Sequence, residues 1–288
     1  MVNGILIVNK PEGWTSQDVV SKLRGVFHEK RVGHGGTLDP MATGVLPVFF
    51  GRATRAVEFF EHADKKYVAT VRMGQITDTQ DTTGNVLELR KAAVSEEDVA
   101  RVLSKFIGKI EQIPPMYSAI KIGGKKLYEL ARAGKEIERK PRQIEIFSLE
   151  MTHIEGNDWK LCVHCSKGTY VRTLCHDIGM ALGCGACMAS LERIAAGAYE
   201  LAESALMEEI IADENRDSRL LPVDSLFANV PKLTLTAAQE KCVRNGASFT
   251  MRSLDAGRYR VYAQNGEFLA LCECKNEVLH TVKSFFAV

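Results

Sequence analysis

The chain has 288 residues, a length that fits one large domain or a large one followed by a small one. Its hydrophobic fraction of 45% and charged fraction of 25% are those of an ordinary globular protein, and no stretch approaches the ~18 apolar residues that would span a bilayer. The formal net charge is +1, so affinity for nucleic acid must come from local basic patches and not from an overall field.

The opening MVNGILIVNKPEG carries only the short apolar run ILIV, far below a signal-peptide core, and a cytoplasmic protein with no membrane partner is expected. GILIVN reads as a strand, KPEG as a turn, and Thr15 with Asp18 as a capping box opening a helix that turns Val19, Val20, Leu23, Val26 and Phe27 to one side. A glycine-rich loop follows, then the strand VLPVFFG, a helix over RATRAVEFFEHA and a strand KKYVATVRMG. Ser95 opens another helix. YSAIKIGGKKLYELARAG reads as a strand, a Gly-Gly turn and a short helix closed by Gly134. A hairpin turns at Gly156-Asn157, and YVRTLCHDIGMALG is a helix with Val171, Leu174, Ile178 and Leu182 inward. Strands and helices mix without a regular βαβ beat, which predicts an α+β fold with a largely antiparallel sheet. Residues 213–232 are polar, carry Pro222 and Pro231, and read as a linker to a small β-rich C-terminal domain with a hairpin at Asn265-Gly266.

Eight cysteines raise the possibility of zinc, because Cys162/Cys165 and Cys184/Cys187 are two C-x-x-C pairs separated by eighteen residues. LCVHCS reads as a strand, however, and residues three apart on a strand point to opposite faces. Small buried hydrophobes with a free thiol or two are expected instead, in a reducing compartment and with no metal.

The stretch GHGGTLDPMATG, residues 33–44, holds four glycines and a single acid, Asp39. It lacks the lysine of a Walker A loop and the spacing of a dinucleotide fingerprint, and DTQDTTGNVLE near Asp78 misses the calcium-loop positions. Two readings stand. Asp39 is a carboxylate on a loop whose glycines let a substrate backbone come close, or it caps a helix as most loop aspartates do. A partner cation would favour the first, and SKGTYVRTL offers Arg172, with Tyr170 two residues before it. The alternative for Arg172 is a surface position at a helix start. A second signal is basic: residues 121–142 hold eight Lys or Arg against three Glu, which suits either a solvated helix face or a phosphate backbone.

GHGGTLDPMATGVLP, KPEGWTS, KKYVATVRMGQITDTQD, IPPMYSAIKIGGKKLYELARAG and SKGTYVRTLCHDIGMALGCGA together resemble the bacterial TruB family of tRNA pseudouridine synthases, in order from about residue 3 to 200. The resemblance implies the pseudouridine synthase fold, with a catalytic domain over 1–212, a thumb-like basic insertion at about 121–142, a linker over 213–231 and a PUA-like RNA-binding domain over 232–288. It implies isomerisation of uridine 55 in the T-arm loop of tRNA, with no cofactor. Asp39 matches the nucleophile, whose attack falls on the ribose or on C6 of the base. Tyr67 matches the tyrosine that stacks on the flipped uracil, and Arg172 the arginine paired with the aspartate. Tyr170 and Leu191 match pocket-lining residues, and His34 the histidine that meets the T-loop. Lys125, Lys126 and Arg132 fall in the insertion and are expected to grip phosphates. The family's L-R-R around the leucine reads Leu191-Glu192-Arg193 here, which leaves the part played by Arg193 open. A monomer suits a single-RNA substrate. An RNA protein that binds without catalysis, and a zinc-ribbon module, are the competing functions.

Overall fold

The computed structural model describes residues 2–118 and 120–286; the side chains of Lys126 and Arg132 lie outside what it describes. Its main body is a ten-stranded mixed sheet. Eight strands run in the order Ala205–Leu206, Gly4–Lys10, Thr43–Phe50, Ala186–Ala196, Lys65–Met73, Asp158–Cys165, Arg142–Glu155 and Gly108–Gln112. Val32–His34 and Tyr199–Glu200 pair off this path. Five of the seven junctions in that order are antiparallel. The two parallel ones join Gly4–Lys10 to Ala205–Leu206 and Thr43–Phe50 to Ala186–Ala196. The expected α+β architecture with a largely antiparallel sheet is therefore what forms.

Local chemistry sets the elements. Thr15 Oγ1 accepts from the Asp18 N–H at 3.0 Å while the Asp18 carboxylate accepts from the Thr15 N–H at 2.8 Å, closing the capping box of the helix Ser16–Val26. Ser95 and Asp98 do the same for Glu96–Leu103. The run VLPVFF is apolar on both sides because its strand is covered on both. Leu46, Val48 and Phe50 pack with Val19 and Leu23, while Val45 and Phe49 pack with Phe60 and Tyr199. Lys65–Met73 and Asp158–Cys165 alternate instead. Their inner side chains meet the helices Glu96–Leu103 and Val171–Ala181, and Val68, Thr70, Lys160 and Cys162 stand on the open face. Each large apolar side chain so covered contributes about 1.5–3 kcal/mol.

The hairpins at Gly156-Asn157 and Asn265-Gly266 are present, with both glycines at positive φ. Cys162 and Cys165 fall on a regular strand, on opposite faces, and all eight cysteines are free. Six are buried; Cys162 and Cys242 are half-buried. Among the described residues no His, Cys, Asp and Glu group could hold a metal ion, and no helix is long and apolar enough to cross a membrane.

Two readings need correction. The helix expected over RATRAVEFFEHA is a 3-10 turn, Gly51–Ala56, followed by one α turn, Val57–Phe60. Gly51 begins it at φ +58, with the Val2 carbonyl 2.3 Å from where a Cβ would sit, so the chain enters by a tight glycine bend. The stretch 213–232 is no free tether. Leu221 pairs with Ile5 in both directions at 2.8 Å, and Val223 and Phe227 join a core cluster that also contains Ile5, Phe49, Leu271 and Phe285. Its polar letters concealed two buried anchors.

The C-terminal five-stranded sheet, ordered Lys232–Thr234, Gly257–Tyr262, Phe268–Lys275, Val278–Ser284 and Phe249–Thr250, packs against that segment. Phe227 lies 6.3 Å from Phe268 and 6.0 Å from Phe285 between ring centroids, and Arg55 donates to the Ser284 carbonyl at 3.0 Å. Removing everything from Lys232 onward uncovers Phe227. The melting temperature should then fall by roughly 4–10 °C, from the burial of one aromatic side chain. Thermal unfolding followed by circular dichroism checks this; an unchanged midpoint would mean that the two parts are energetically separate.

Candidate active site

Asp39 lies between the strands Val32–His34 and Thr43–Phe50, on a loop tied down from three sides. Ser16 Oγ accepts from the Leu38 N–H at 2.8 Å, and the Gly13 N–H donates to the Pro40 carbonyl at 2.8 Å. Lys10, fully buried, donates from Nζ to the carbonyls of Trp14 at 2.6 Å, Pro11 at 2.8 Å and Pro40 at 3.2 Å. Burial pulls the Lys10 ammonium down to about 8, while the nearby Asp39 charge works against that fall. The N-terminal KPEGWTS segment is thus the seat of the aspartate loop.

Arg193 holds the other side. It is 1% exposed, and its guanidinium donates to Val45 O at 2.7 Å and Gly36 O at 3.1 Å. The loop's glycines answer to this packing. Gly44 sits at φ +100, and a Cβ there would stand 2.3 Å from the Arg193 carbonyl; at Gly35 it would stand 2.4 Å from the Phe60 ring. Close approach is needed, but at these two positions to the protein itself and not to a substrate backbone. The open question over Arg193 is answered too: it is a buried clasp, while its neighbour Glu192 is half-exposed.

No helix follows Asp39, so it is not a helix cap; its carboxylate meets Arg172 instead. Arg172 Nε lies 2.9 Å from Oδ2 and Nη2 donates to Oδ1 at 3.3 Å, a two-pronged contact. Arg172 is 6% exposed, in the first turn of Val171–Ala181, where the helix dipole disfavours a cation. A second carboxylate compensates. Asp81, 4% exposed, receives Arg172 Nη1 at 3.4 Å, and the Thr79 and Tyr117 carbonyls accept from the guanidinium at 3.2 and 2.8 Å. Asp81 is itself held by Thr79 Oγ1 at 2.8 Å, Thr83 Oγ1 at 2.5 Å and the Thr83 N–H at 3.0 Å. Burial raises the Asp39 carboxyl above the usual carboxylate range; Arg172 opposes this and Asp81 adds to it.

Tyr67 is buried opposite Arg193 in the strand register, within the cluster that contains Leu38, Ala42 and Leu191. Burial pushes its phenol up, with Arg193 opposing, so it stays neutral. Tyr170, half-buried, is the residue before the arginine helix, and burial raises its phenol as well. His34 is half-exposed on its strand and accepts from the Gly36 N–H at 3.3 Å; burial, then Arg193, lowers its imidazole. Asp39, Arg172, Tyr67 and Leu191 therefore share one end of the sheet, next to the parallel pair Thr43–Phe50 and Ala186–Ala196. Lys125 stands apart and exposed, in the two-stranded hairpin Lys121–Ile122 and Lys125–Lys126 that precedes the helix Leu127–Arg132. The expected single strand of the insertion is this hairpin. The side-chain positions expected for Lys126 and Arg132 lie outside the described residues.

Sequence reasoning gave Asp81 no role. Its only trace was the alternation of threonines and acids in TDTQDTT, whose purpose appears once Arg172, 91 residues away, is beside it.

The model of the TruB family pseudouridylate synthase N-terminal domain matches residues 24–171, and that of the tRNA pseudouridylate synthase B C-terminal domain matches residues 172–228. Asp39 falls in the first match and Arg172 in the second, so the ion pair joins them. The tRNA pseudouridine synthase B of Syntrophomonas wolfei is 44% identical over 285 residues, covering 96% of this chain and 94% of that protein. That of Clostridium kluyveri is 41% identical over 289 residues, covering 99% and 100%. Among solved structures, a chain of a Cbf5-Nop10-Gar1 complex is similar at a TM-score of 0.74 and 26% identity, over 98% of this chain and 85% of that one. By sequence, by fold and by the matched segments that meet at its buried ion pair, the chain belongs to the TruB family of pseudouridylate synthases.

Proposed function

We propose that the protein isomerises uridine 55 in the T-arm loop of tRNA to pseudouridine, with Asp39 as nucleophile. The observation that carries the reading is the lone carboxylate of the glycine loop held in a fixed orientation by a buried arginine. A base inside its stack is out of reach, so the uridine must be flipped out at a cost of a few kcal/mol. Tyr67 offers an aromatic face to the flipped uracil, and Tyr170, Leu191 and His34 line its path. Asp39 attacks the nucleotide and the N1–C1′ bond breaks. The uracil turns, C5 bonds to C1′, the bond between Asp39 and the nucleotide breaks with its electron pair returning to the carboxylate, N1 takes up a proton and the C5 proton leaves to solvent. Atoms and electrons balance within the substrate, so the reaction calls for no cofactor or co-reactant. We place the enzyme in the cytoplasm with tRNA as partner and a monomer as the working unit. The catalytic domain is assigned to 1–212 and a PUA-like RNA-binding domain to 232–288. Tritium release from tRNA carrying 5-labelled uridine tests the assignment: stoichiometric release supports it, and tight tRNA binding without release would make the protein a binder only.

The basic insertion supplies the grip. Neutralising Lys125, Lys126 and Arg132 together should weaken tRNA binding and reduce the slope of log affinity against log salt by roughly two to three, at about 0.7–0.9 per phosphate contact. The rate for bound tRNA should suffer less, since these side chains position RNA and touch no reacting bond. Filter binding across a salt series decides. Affinity lost equally at every salt concentration would point to damaged folding.

A further inference from the structure

We infer that Gln112 is a positioning residue for the isomerisation, fixing the start of the arginine helix and fastening it to the root of the basic insertion. Gln112 ends the edge strand Gly108–Gln112 and is 3% exposed. Its register partner on the neighbouring strand is Arg142, so residues 113–141 leave the sheet and return to it at this one rung. The Gln112 side chain turns to the backbone of Tyr170, 58 residues along. The Tyr170 N–H donates to Oε1 at 2.8 Å, and Nε2 donates to the Tyr170 carbonyl at 3.1 Å. With one donor and one acceptor facing it, the amide has a single satisfying orientation.

Tyr170 is the cap residue of Val171–Ala181, and its own side chain makes no cap hydrogen bond. Gln112 thus satisfies, from a different strand, one of the backbone N–H groups that a helix start leaves unpaired. The two sides of the clamp are unequal. The Tyr170 carbonyl also accepts the first helical bond, from the Leu174 N–H at 3.0 Å, so losing Gln112 orphans only the N–H. Two residues on, Arg172 must meet Asp39, Asp81 and two carbonyls with one rigid guanidinium, and small shifts of the helix start spoil that fit. The insertion's first leg reaches the same arginine again through the Tyr117 carbonyl. The root of the insertion and the Asp39–Arg172 pair are therefore joined by two hydrogen-bonded links.

The inference rests on the reading that Arg172 holds Asp39, and the test separates the two. Full-length Gln112→Leu keeps the volume and removes both hydrogen bonds. Gln112→Glu keeps an oxygen for the Tyr170 N–H. Single-turnover tritium release with enzyme in excess over 5-labelled tRNA should slow by about 10- to 100-fold in Gln112→Leu, as Arg172 loses its alignment on Asp39, with tRNA affinity within about threefold. Gln112→Glu should recover part of that loss. In an Arg172→Lys background, Gln112→Leu should cost less than about threefold more, because its target is already gone. Four results would overturn the inference: a wild-type rate for Gln112→Leu, a loss confined to affinity, no recovery in Gln112→Glu, or an equally large loss in the Arg172→Lys background. If Gln112→Leu does not fold, Gln112→Glu alone should be slowed in the wild-type background and neutral in the Arg172→Lys one; equal slowing in both overturns the inference. An Arg172→Lys enzyme with the wild-type rate would instead refute the role given to Arg172 itself.

Discussion

Asp39→Asn should abolish isomerisation while tRNA affinity stays within about tenfold, because the change removes the proposed nucleophile and almost no contact area. The fold should tolerate it. Arg172 keeps Asp81 and the Thr79 and Tyr117 carbonyls, and an amide fills the place of the carboxylate. Stability has a definite sign as well. Folding raises the Asp39 carboxyl above its unfolded value, so the folded chain holds that proton more tightly, and stability is lost as pH climbs through the interval between the two values. At neutral pH the charged carboxylate is thus less well accommodated by the fold than its protonated form would be, and melts of the wild type across pH should show that sign. For the wild type, the same shift places the acid limb of the rate for bound tRNA above the range of an exposed aspartate. Tritium release, filter binding and thermal melts on one preparation check all three. Residual turnover above roughly one per cent of wild type would assign the chemistry to another group.

Arg172→Lys is expected to slow the enzyme by about a hundredfold or more despite preserving the charge. The guanidinium spans Asp39 through Nε and Nη2 while Nη1 reaches Asp81, and an ammonium cannot address both carboxylates and two carbonyls from one point. The buried half of the pair is the costly one. Asp81 is almost fully enclosed, so weakening its partner leaves a charge with poor compensation, of the order of 3–5 kcal/mol for a complete loss. Asp39 is partly open to water and loses orientation more than energy. The expected signature is a low single-turnover rate with modestly changed affinity and a lowered melting temperature. An unchanged rate would remove Arg172 from the site.

How much of this was legible in the letters depended on the distance over which each feature acts. The capping box at Thr15, the helix start at Ser95, the Gly156-Asn157 turn and the strand Lys65–Met73 are settled within a few residues, and they appear where expected. Asp39 stood out because a single acid among glycines has few structural uses. Asp81, Lys10 and Gln112 did not, because each works through a partner that folding brings from elsewhere: Arg172, the Pro40 carbonyl and the Tyr170 backbone. The error over residues 213–232 has a related origin. DENRDSR is polar enough to pass for a tether, and the apolar Val223 and Phe227 that follow acquire meaning only against Ile5 and Phe285. Gly51 was read as the end of the strand VLPVFFG and RATRAVEFF as helix from its composition, and composition does not report a positive φ.

The cysteines carry a practical consequence. Reaction with an electrophile needs a thiolate, and burial holds Cys165, Cys187 and Cys272 up near 11 while enclosing Cys175, Cys184 and Cys274 as well. Only Cys162 and Cys242 are partly open, one between Val68 and Glu150 on the open face of the large sheet, the other in the helix Ala237–Arg244 of the C-terminal unit. The native chain thus comes with one fluorophore handle on each of its two parts. Relative movement of the catalytic sheet and the C-terminal unit on tRNA binding can be followed by energy transfer without introducing or removing a single residue.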